Sequence, residues 1–129
     1  MADDIQNNDF SHEIIGAAVE VQRVLGTGLD EGAYAAALAI ELAEREIGFA
    51  RDVALSASYK GRSLGDVYRA GFVIEQSVIV ELKAVDVLTD LHRAQVLAAL
   101  RLSGLKLGLL INFNVFPVVK GVHRIVSKP

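Results

Sequence analysis

The chain has 129 residues, of which 52% are apolar and 22% charged, and its formal net charge is −3. This length suits one folded domain, and the apolar fraction argues against intrinsic disorder. The absence of cysteine excludes disulfides, thiolate zinc sites, iron–sulfur clusters and thiol nucleophiles. The three histidines, His12, His92 and His123, are too scattered in the sequence to indicate a metal site.

Neither a secretory signal nor a membrane-spanning segment is expected from the sequence. Its N-terminus, MADDIQNNDF, is acidic and polar, unlike a secretory signal. No apolar run reaches the ~18–20 residues that cross a bilayer. We therefore expect a cytoplasmic domain over residues 1–129 without a membrane partner, in which residues 1–10 form a flexible tail.

Charge is distributed unevenly along the chain. Residues 1–90 contain all 16 acids and 7 of the 13 lysines and arginines, giving −9, whereas residues 91–129 contain 6 basic residues and no acid, giving +6. This asymmetry favours one basic face on an acidic molecule. The alternative is that the two parts interleave in space and that their charges are simply solvated.

Two amphipathic helices are predicted in the N-terminal part of the chain. The apolar stripe of the first, over residues 11–25, consists of Ile14, Ala18, Val21 and Leu25. The second runs over residues 30–46, with Asp30 as its cap and Gly48 closing it. Its buried row consists of Tyr34, Leu38 and Leu42.

An antiparallel meander follows the helices. The apolar period changes to two over residues 49–59, and further strands are predicted over 64–74 and 78–85, separated by turns at 60–63 and 75–77. If the second turn centres on Gln76, Gly71 faces Glu81 and Arg69 faces Lys83.

The C-terminal part predicts a crossover. Thr89 can cap a helix that ends near Ser103, with one face formed by Leu91, Gln95, Ala98 and Leu102. The apolar run 107–111 is typical of a strand covered on both faces, and a helical crossover makes it parallel to the third strand. A short strand over 122–126 completes the order ααβββαββ, which predicts an α/β fold with a mixed sheet flanked by helices.

Glu81 and Lys83 are charged residues inside the third predicted strand. Alternation places them on one face and Leu82 on the other. Charges in a strand need a partner, an exposed face or a function. Gly71 leaves open space beside the Glu81 carboxylate, which suits the approach of a ligand or of another backbone segment. A solvent-facing ladder of Glu and Lys is the alternative.

Two further polar residues have both a structural and a functional interpretation. Glu31 lies in the first turn of the second helix, where the helix dipole favours an acid in any case. Gln95 lies on the predicted apolar face of the third helix, where it can bond backbone or orient a water or phosphate. No glycine-rich phosphate loop, Ser/His/Asp arrangement or zinc spacing is present.

These residues together resemble a known family. LGTGLDEGAY contains a Gly-x-x-Glu-x-x-Tyr signature at Gly28, Glu31 and Tyr34. It is followed, in the family's order and spacing, by YRAGFVIE, VIVELKAV, HRAQVLAAL, LGLLINF and KGVHRIV. From about Phe10 to Val126 the chain resembles the bacterial GxxExxY proteins, which are grouped with the PD-(D/E)XK nuclease-like superfamily.

The resemblance implies a restriction-endonuclease-like core that hydrolyses phosphodiesters with Mg²⁺ or Mn²⁺. It implies Glu31 and Glu81 as metal ligands. It also assigns Lys83 to assisting the attacking water and Gln95 to supporting the site, so that these four residues form the catalytic set.

One position departs from the family pattern. The family's strand Asp falls on Gly71, which supplies no ligand, so metal binding is expected to be weak or absent and catalysis weakened. Alternation puts Asp66 on the other face unless a bulge intervenes, and Glu75 lies at the turn. Neither is a good substitute.

Three functions are therefore compared. The first is a metal-dependent nuclease. The second is a degenerate member that binds nucleic acid or protein without cutting. The third is a self-associating structural module with an apolar surface around Phe113, Val115 and Phe116. A basic groove from residues 93–128 reaching Glu81 would favour the nucleic-acid functions, and the small core favours a homodimer that spans a duplex.

Overall fold

The computed structural model describes residues 9–127, and within them the elements follow the predicted order. The helices are α1 (Ser11–Leu25), α2 (Glu31–Glu44) and α3 (Asp90–Ser103). The strands are β1 (Phe49–Tyr59), β2 (Arg62–Ile74), β3 (Val78–Lys83), β4 (Leu107–Asn112) and β5 (Val122–Val126), and a 3₁₀ turn (Val118–Gly121) precedes β5. The α/β fold class is confirmed. None of the described helices is long and apolar enough to cross a membrane.

The predicted tail is described only at its end. Residues 1–8 lie outside the described residues. Asp9 accepts a hydrogen bond from the backbone N–H of Ser11 and forms an ion pair with Arg124 of β5. Phe10 packs against the main core. Because Arg124 belongs to the basic C-terminal third, this ion pair is one point at which the acidic and basic parts of the chain interleave.

The five strands form one mixed sheet in the order β1-β2-β3-β4-β5. β3 and β4 are parallel, as expected for strands joined by a helical crossover, and the other neighbours are antiparallel. Between β2 and β3, Phe72 pairs with Val80 and Ile74 with Val78. The parallel pairing is confirmed, and the predicted hairpin register is confirmed over these residues. The ladder ends at Phe72 and Val80, however, so the expected facing pairs Gly71–Glu81 and Arg69–Lys83 are not ladder pairs.

Helices cover both faces of the sheet. On one face, α1 and α2 enclose the larger core with Phe72, Val80 and Leu109 among its sheet residues. Ile79 points to the opposite face, where α3 contributes Ala99 and Leu100 to a smaller core. This double cover explains why every residue of β4 is buried.

Several predicted element ends differ from the structure for local reasons. α2 ends at Glu44, and Gly48 is not its cap. The chain leaves the helical conformation at Glu46, which has a left-handed φ of 59°. β3 stops at Lys83, because the backbone N–H and C=O of Val85 bond to the side chain of Asn112 and not to a neighbouring strand.

The helix caps differ from one another. Thr89 caps α3 as predicted, accepting a hydrogen bond from the N–H of His92, whose Nδ1 in turn accepts from the N–H of Thr89. Asp30 occupies the N-cap position of α2, but its side chain makes no capping hydrogen bond.

The apolar face predicted for α3 is wrong. Leu91, at its first turn, is 64% exposed, whereas Val96, Ala99 and Leu100 are buried. The residues from Val96 to Leu100 are all apolar, so helical spacing fits two adjacent faces equally well. Packing selects the face that meets Gly108, where an added Cβ would lie only 2.6 Å from Cγ1 of Val96. Gln95, predicted on the buried face, is half-buried.

The burial of two other apolar residues is the reverse of what the sequence predicted. Leu25, assigned to the buried stripe of α1, is 37% exposed. Phe113, assigned to a surface patch, is fully buried and stacks on Tyr34 with ring centroids 4.6 Å apart. The proposed patch therefore loses its first member, although Phe116 is 77% exposed.

A buried glutamine in α1 connects this helix to the segment after β4. Nε2 of Gln22 donates to the carbonyl oxygens of Phe113 (3.0 Å) and Val115 (2.7 Å). Its Oε1 accepts from the backbone N–H of Val118 at 2.8 Å. An unsatisfied buried polar group costs about 1–3 kcal/mol, so these three bonds matter for stability.

We expect Gln22→Leu to lower the free energy of unfolding by about 3 kcal/mol, because an apolar side chain leaves three backbone groups unpaired. Urea unfolding measures the change. Gln95→Leu is the matched control, since Gln95 is half-buried and forms no side-chain hydrogen bond within residues 9–127. Its effect should stay within about 0.5 kcal/mol. Equal losses in the two variants would contradict the prediction.

Candidate active site

A fork between β2 and β3 creates the site. The two strands pair only from Phe72 to Ile74 on β2, and toward its N-terminal end β2 continues with β1 alone. Gly71 and Glu81 are the first residues beyond the last pair. The Glu81 side chain lies in the fork, where its Oε2 accepts hydrogen bonds from the backbone N–H of Gly71 (3.1 Å) and the hydroxyl of Tyr68 (2.9 Å). The carboxylate thus replaces a ladder bond between the strands.

The environment of Glu81 opposes its ionisation. Burial raises the pKa of the Glu81 carboxyl, the charge of Glu31 raises it further, and the hydrogen bonds from Gly71 and Tyr68 together with the charge of Lys83 only partly offset this. Burial and the neighbouring carboxylate likewise raise the pKa of the Tyr68 hydroxyl, which stays a proton donor. A carboxylate held in such surroundings is typical of functional sites.

Glu81 opens into a cleft of about 170 Å³. The lining residues come from four elements and are Glu31, Gly32, Ala35, Arg51, Asp52, Gly71, Phe72, Glu81 and Leu82. The cleft thus contains three carboxylates and one guanidinium. In the described part of the chain no three acidic or histidine side chains are close enough to surround a single ion in this conformation.

The predicted site residues are brought together only in part. Glu31 and Glu81 share the cleft. Lys83 lies two residues further along β3, outside the lining but near enough for its charge to lower the pKa of Glu81. Gln95 is on α3 and does not line the cleft.

The Gly-x-x-Glu-x-x-Tyr segment places Glu31 at the cleft. Gly28 has a φ of 99°, a backbone conformation that L side chains rarely adopt. The hydroxyl of Tyr34 donates to the carbonyl oxygen of Gly26 (2.7 Å) and accepts from the N–H of Leu29 (3.3 Å), which fixes the loop before α2. Because the ring of Tyr34 is buried, the loop is tied to the core and Glu31 begins the helix beside Glu81.

Asp52 lines the cleft and was not identified from the sequence. The β1–β2 register places it opposite Gly71, but the ladder is interrupted there, and Asp52 has a left-handed φ of 53°. The strand turns over at this point: Phe49 packs against the α1–α2 core, whereas Val53 packs against the α3 core. Strict alternation misses such a change of face. The available signal was an Asp inside a strand, since Asp is rare in strands and tolerates this conformation.

The basic C-terminal third takes no part in lining the cleft. Among the described residues, those around the cleft belong to α2, β1, β2 and β3. Arg93 instead lies 3.4 Å from His123 between their nitrogen atoms, and Arg124 pairs with Asp9. The basic groove considered from the sequence does not reach Glu81, and the cation in the cleft is Arg51.

Residues 8–125 match the family model of the PD-(D/E)XK nuclease superfamily. The chain belongs to this superfamily. No curated protein and no solved structure matches the chain. The match spans both cores and every element of the sheet, so it covers the cleft as well as the fold.

PD-(D/E)XK nucleases generally use Mg²⁺ or Mn²⁺, and the donors of the cleft fit such an ion. Hard divalent cations prefer oxygen ligands, and Mg²⁺ often binds through one or two carboxylates together with substrate phosphates. Glu31, Asp52 and Glu81 supply oxygen donors. At Gly71 a Cβ would lie 3.0 Å from Oε1 of Glu81, so a side chain at this position would project beside that carboxylate.

Proposed function

We propose that this protein is a single-domain, metal-dependent nuclease that hydrolyses phosphodiester bonds in the cleft at the β2–β3 fork. The observation that carries the proposal is that Glu31 and Glu81 share this cleft in a chain of the nuclease superfamily. Glu31 and Glu81 would hold a Mg²⁺ or Mn²⁺ ion, which would supply Lewis-acid activation of the phosphate and of a water molecule.

The chain's own residues orient the substrate and the attacking water. Tyr68 and the N–H of Gly71 hold the Glu81 carboxylate in one position. Lys83, on the same strand, is proposed to orient the attacking water, and Gln95 to support the site from α3. Arg51 lines the cleft with its guanidinium 5.3 Å from the ring centre of Phe72, where it can bind a phosphate oxygen.

Asp52 is proposed to supply the carboxylate that Gly71 lacks. It lies across the strand pair from Gly71 and lines the same cleft as Glu31 and Glu81. Its exposed position leaves the side chain free to turn toward a cation bound with the substrate. Three carboxylates from three elements would then face the scissile phosphate.

The test is cleavage by the full chain of single-stranded DNA, duplex DNA and RNA with Mg²⁺, with Mn²⁺ or with EDTA. We expect cleavage that requires the metal and falls in Asp52→Asn. Calorimetric titration of Mg²⁺ provides a second readout of the same carboxylates. Failure to cut any substrate with either metal would overturn the nuclease proposal.

A degenerate nuclease that binds nucleic acid without cutting is the second candidate. Gly71 in place of an acid favours it, as does the absence of a preformed three-carboxylate metal site among the described residues. Binding of nucleic acid in EDTA that persists with Mg²⁺, with the substrate intact, would support this candidate over the first.

A homodimer is a further proposal, because one small cleft contacts only one strand of a duplex. The groove between α1 and α2 offers an apolar surface, on which Val24 is 64% and Ile40 61% exposed. Sedimentation equilibrium of the wild type and of Ile40→Glu tests this. A monomeric wild type at tens of micromolar would contradict it.

A further inference from the structure

Beyond the fork, β1 and β2 continue as a two-stranded arm formed by residues 56–67. No third strand pairs with it in the described part of the chain. All its side chains are exposed except that of Ala57, which is half-buried. The tip is a two-residue turn at Lys60 and Gly61 with φ values of 50° and 78°, a geometry that continues the twist of the strands.

Two bulges interrupt the pairing of the two strands in the arm. The register shifts after Leu55 and again after Ala57, which leaves Val67 and Leu64 of β2 without a partner. Such bulges increase the right-handed twist of a ribbon. From its base to its tip the arm spans roughly 16 Å at about 3.3 Å per residue.

A ribbon of this size fits B-form DNA better than double-stranded RNA. The major groove of B-DNA is about 12 Å wide and 8.5 Å deep and admits a two-stranded β-ribbon. The major groove of A-form RNA is deep and narrow and excludes side chains. At roughly 16 Å, the arm is long enough to span the width of the wider groove, along whose edges the phosphates lie.

The charge at the tip is complementary to phosphate. Lys60 and Arg62 are exposed, and Asp66 is the single acid of the arm. The ion pairs within residues 9–127 join Arg23 to Glu20, Arg45 to Glu41 and Arg124 to Asp9, so none involves the arm. Unlike these paired arginines, the two cations of the tip are available to phosphates, on a molecule whose net charge is negative.

The base of the arm adjoins the candidate active site. Tyr68, the next residue after the arm, donates its hydroxyl hydrogen bond to Glu81. Arg69 donates from Nη1 to the carbonyl oxygen of Asp52 at 2.7 Å. A duplex held by the tip would therefore extend along the ribbon toward the cleft.

We infer that the arm binds the major groove of double-stranded DNA and that Lys60 and Arg62 contact its phosphates, which positions one strand at the cleft. The second part of this inference, that the bound duplex is presented to the cleft for cleavage, rests on the proposed function. The binding itself can be measured without cleavage.

The experiment measures fluorescence anisotropy of a labelled 24-bp DNA duplex with the full chain in EDTA over a series of salt concentrations. For the double variant Lys60→Ala with Arg62→Ala, we expect affinity to fall at least about tenfold and the logarithmic salt slope to become shallower by about 2. Lys106→Ala with Lys120→Ala is the matched control. It removes the same charge at exposed positions outside the arm, and we expect affinity within about twofold of wild type.

The outcomes separate the arm from the nuclease chemistry. Each of three results would overturn the inference. The first is an equal loss of DNA affinity in the two double variants, and the second is no detectable binding of the duplex by wild type. The third is an equal loss of affinity for double-stranded RNA when Lys60 and Arg62 are replaced. Metal-dependent cleavage measured in parallel tests the proposed function. If cleavage occurs but does not depend on the arm, the proposed function is supported and the inference about the arm is overturned. If binding depends on the arm but no cleavage occurs, the inference about DNA binding by the arm is supported and the nuclease proposal is overturned. A single Arg62→Gln variant, with its thermal unfolding, guards against misfolding of the double variant.

Discussion

Glu81→Gln should lower kcat for metal-dependent cleavage by at least about 100-fold, because the metal's stabilisation of charge in phosphoryl transfer is worth several kcal/mol. Glutamine has the same shape. Its Oε1 can accept the hydrogen bonds that Tyr68 and Gly71 now donate to the carboxylate. The fork should therefore keep its geometry while losing one negative charge. Cleavage of duplex DNA under single-turnover conditions measures the change.

The same substitution should stabilise the protein at neutral pH in the absence of metal. Burial raises the pKa of the Glu81 carboxyl above its value of 4.5, so the folded state disfavours the charged form. Between pH 4.5 and the folded-state pKa, the unfolded state ionises Glu81 more readily than the folded state, so the free energy of unfolding falls. Above the folded-state pKa this destabilisation reaches its full size. We expect Tm of Glu81→Gln to exceed that of wild type at pH 7 in EDTA, with the difference shrinking toward pH 4.

Glu75→Gln is the matched control for both readouts. Glu75 lies at the β2–β3 turn outside the cleft, where its carboxylate accepts a hydrogen bond from the N–H of Gly48 at 2.7 Å. It should retain wild-type cleavage. Full activity in Glu81→Gln, or equal loss in both variants, would contradict a metal site at Glu81.

Gly71→Asp should tighten Mg²⁺ binding at least about tenfold and raise cleavage with it, because it adds an oxygen donor of the kind that Mg²⁺ prefers. Gly71 has no left-handed φ, and its Cβ would lie 3.0 Å from Oε1 of Glu81. The end of that side chain must therefore move by a few tenths of an ångström. The new carboxylate would lie beside Glu81 and across from Asp52.

Calorimetric titration of Mg²⁺ and Tm with and without the metal measure this effect. Two close carboxylates repel, so the variant should be less stable than wild type in EDTA and gain more from Mg²⁺. Gly71→Asn provides the matched control, since it adds the same volume without the charge and should gain nothing. If Asp and Asn bind Mg²⁺ equally, the carboxylate at this position has no role. If wild type already binds as tightly as Gly71→Asp, Asp52 suffices.

The elements governed by local rules could be predicted from the sequence. α1 and β1 have the predicted ends because helical and alternating apolar periods change clearly at glycines. The hairpin register about Gln76 was predicted and placed Gly71 next to Glu81. The fork itself was not predicted, because the same register continued the pairing to Arg69 and Lys83, whereas the strands separate beyond Phe72 and Val80. The parallel β3–β4 pair was predicted because a helical crossover leads to the apolar run of β4.

What could not be predicted depends on packing between elements. The face of α3 was ambiguous because its centre is apolar all round, and only the close approach at Gly108 decides it. Asp52 was missed because its left-handed backbone reverses the alternation within one strand. Phe113 follows β4 directly, but the sequence does not show that Tyr34 stacks on it.

The Gly-x-x-Glu-x-x-Tyr signature contains two residues that determine a loop conformation and one residue that supplies a chemical group. Gly28 and Tyr34 shape and anchor a loop, and both would be needed by a chain that never touches a phosphate. Only Glu31 reaches the cleft. A chain that has the glycine and the tyrosine is therefore expected to form the same loop. The acid between them and the acids on the neighbouring strands are what indicate the same chemistry.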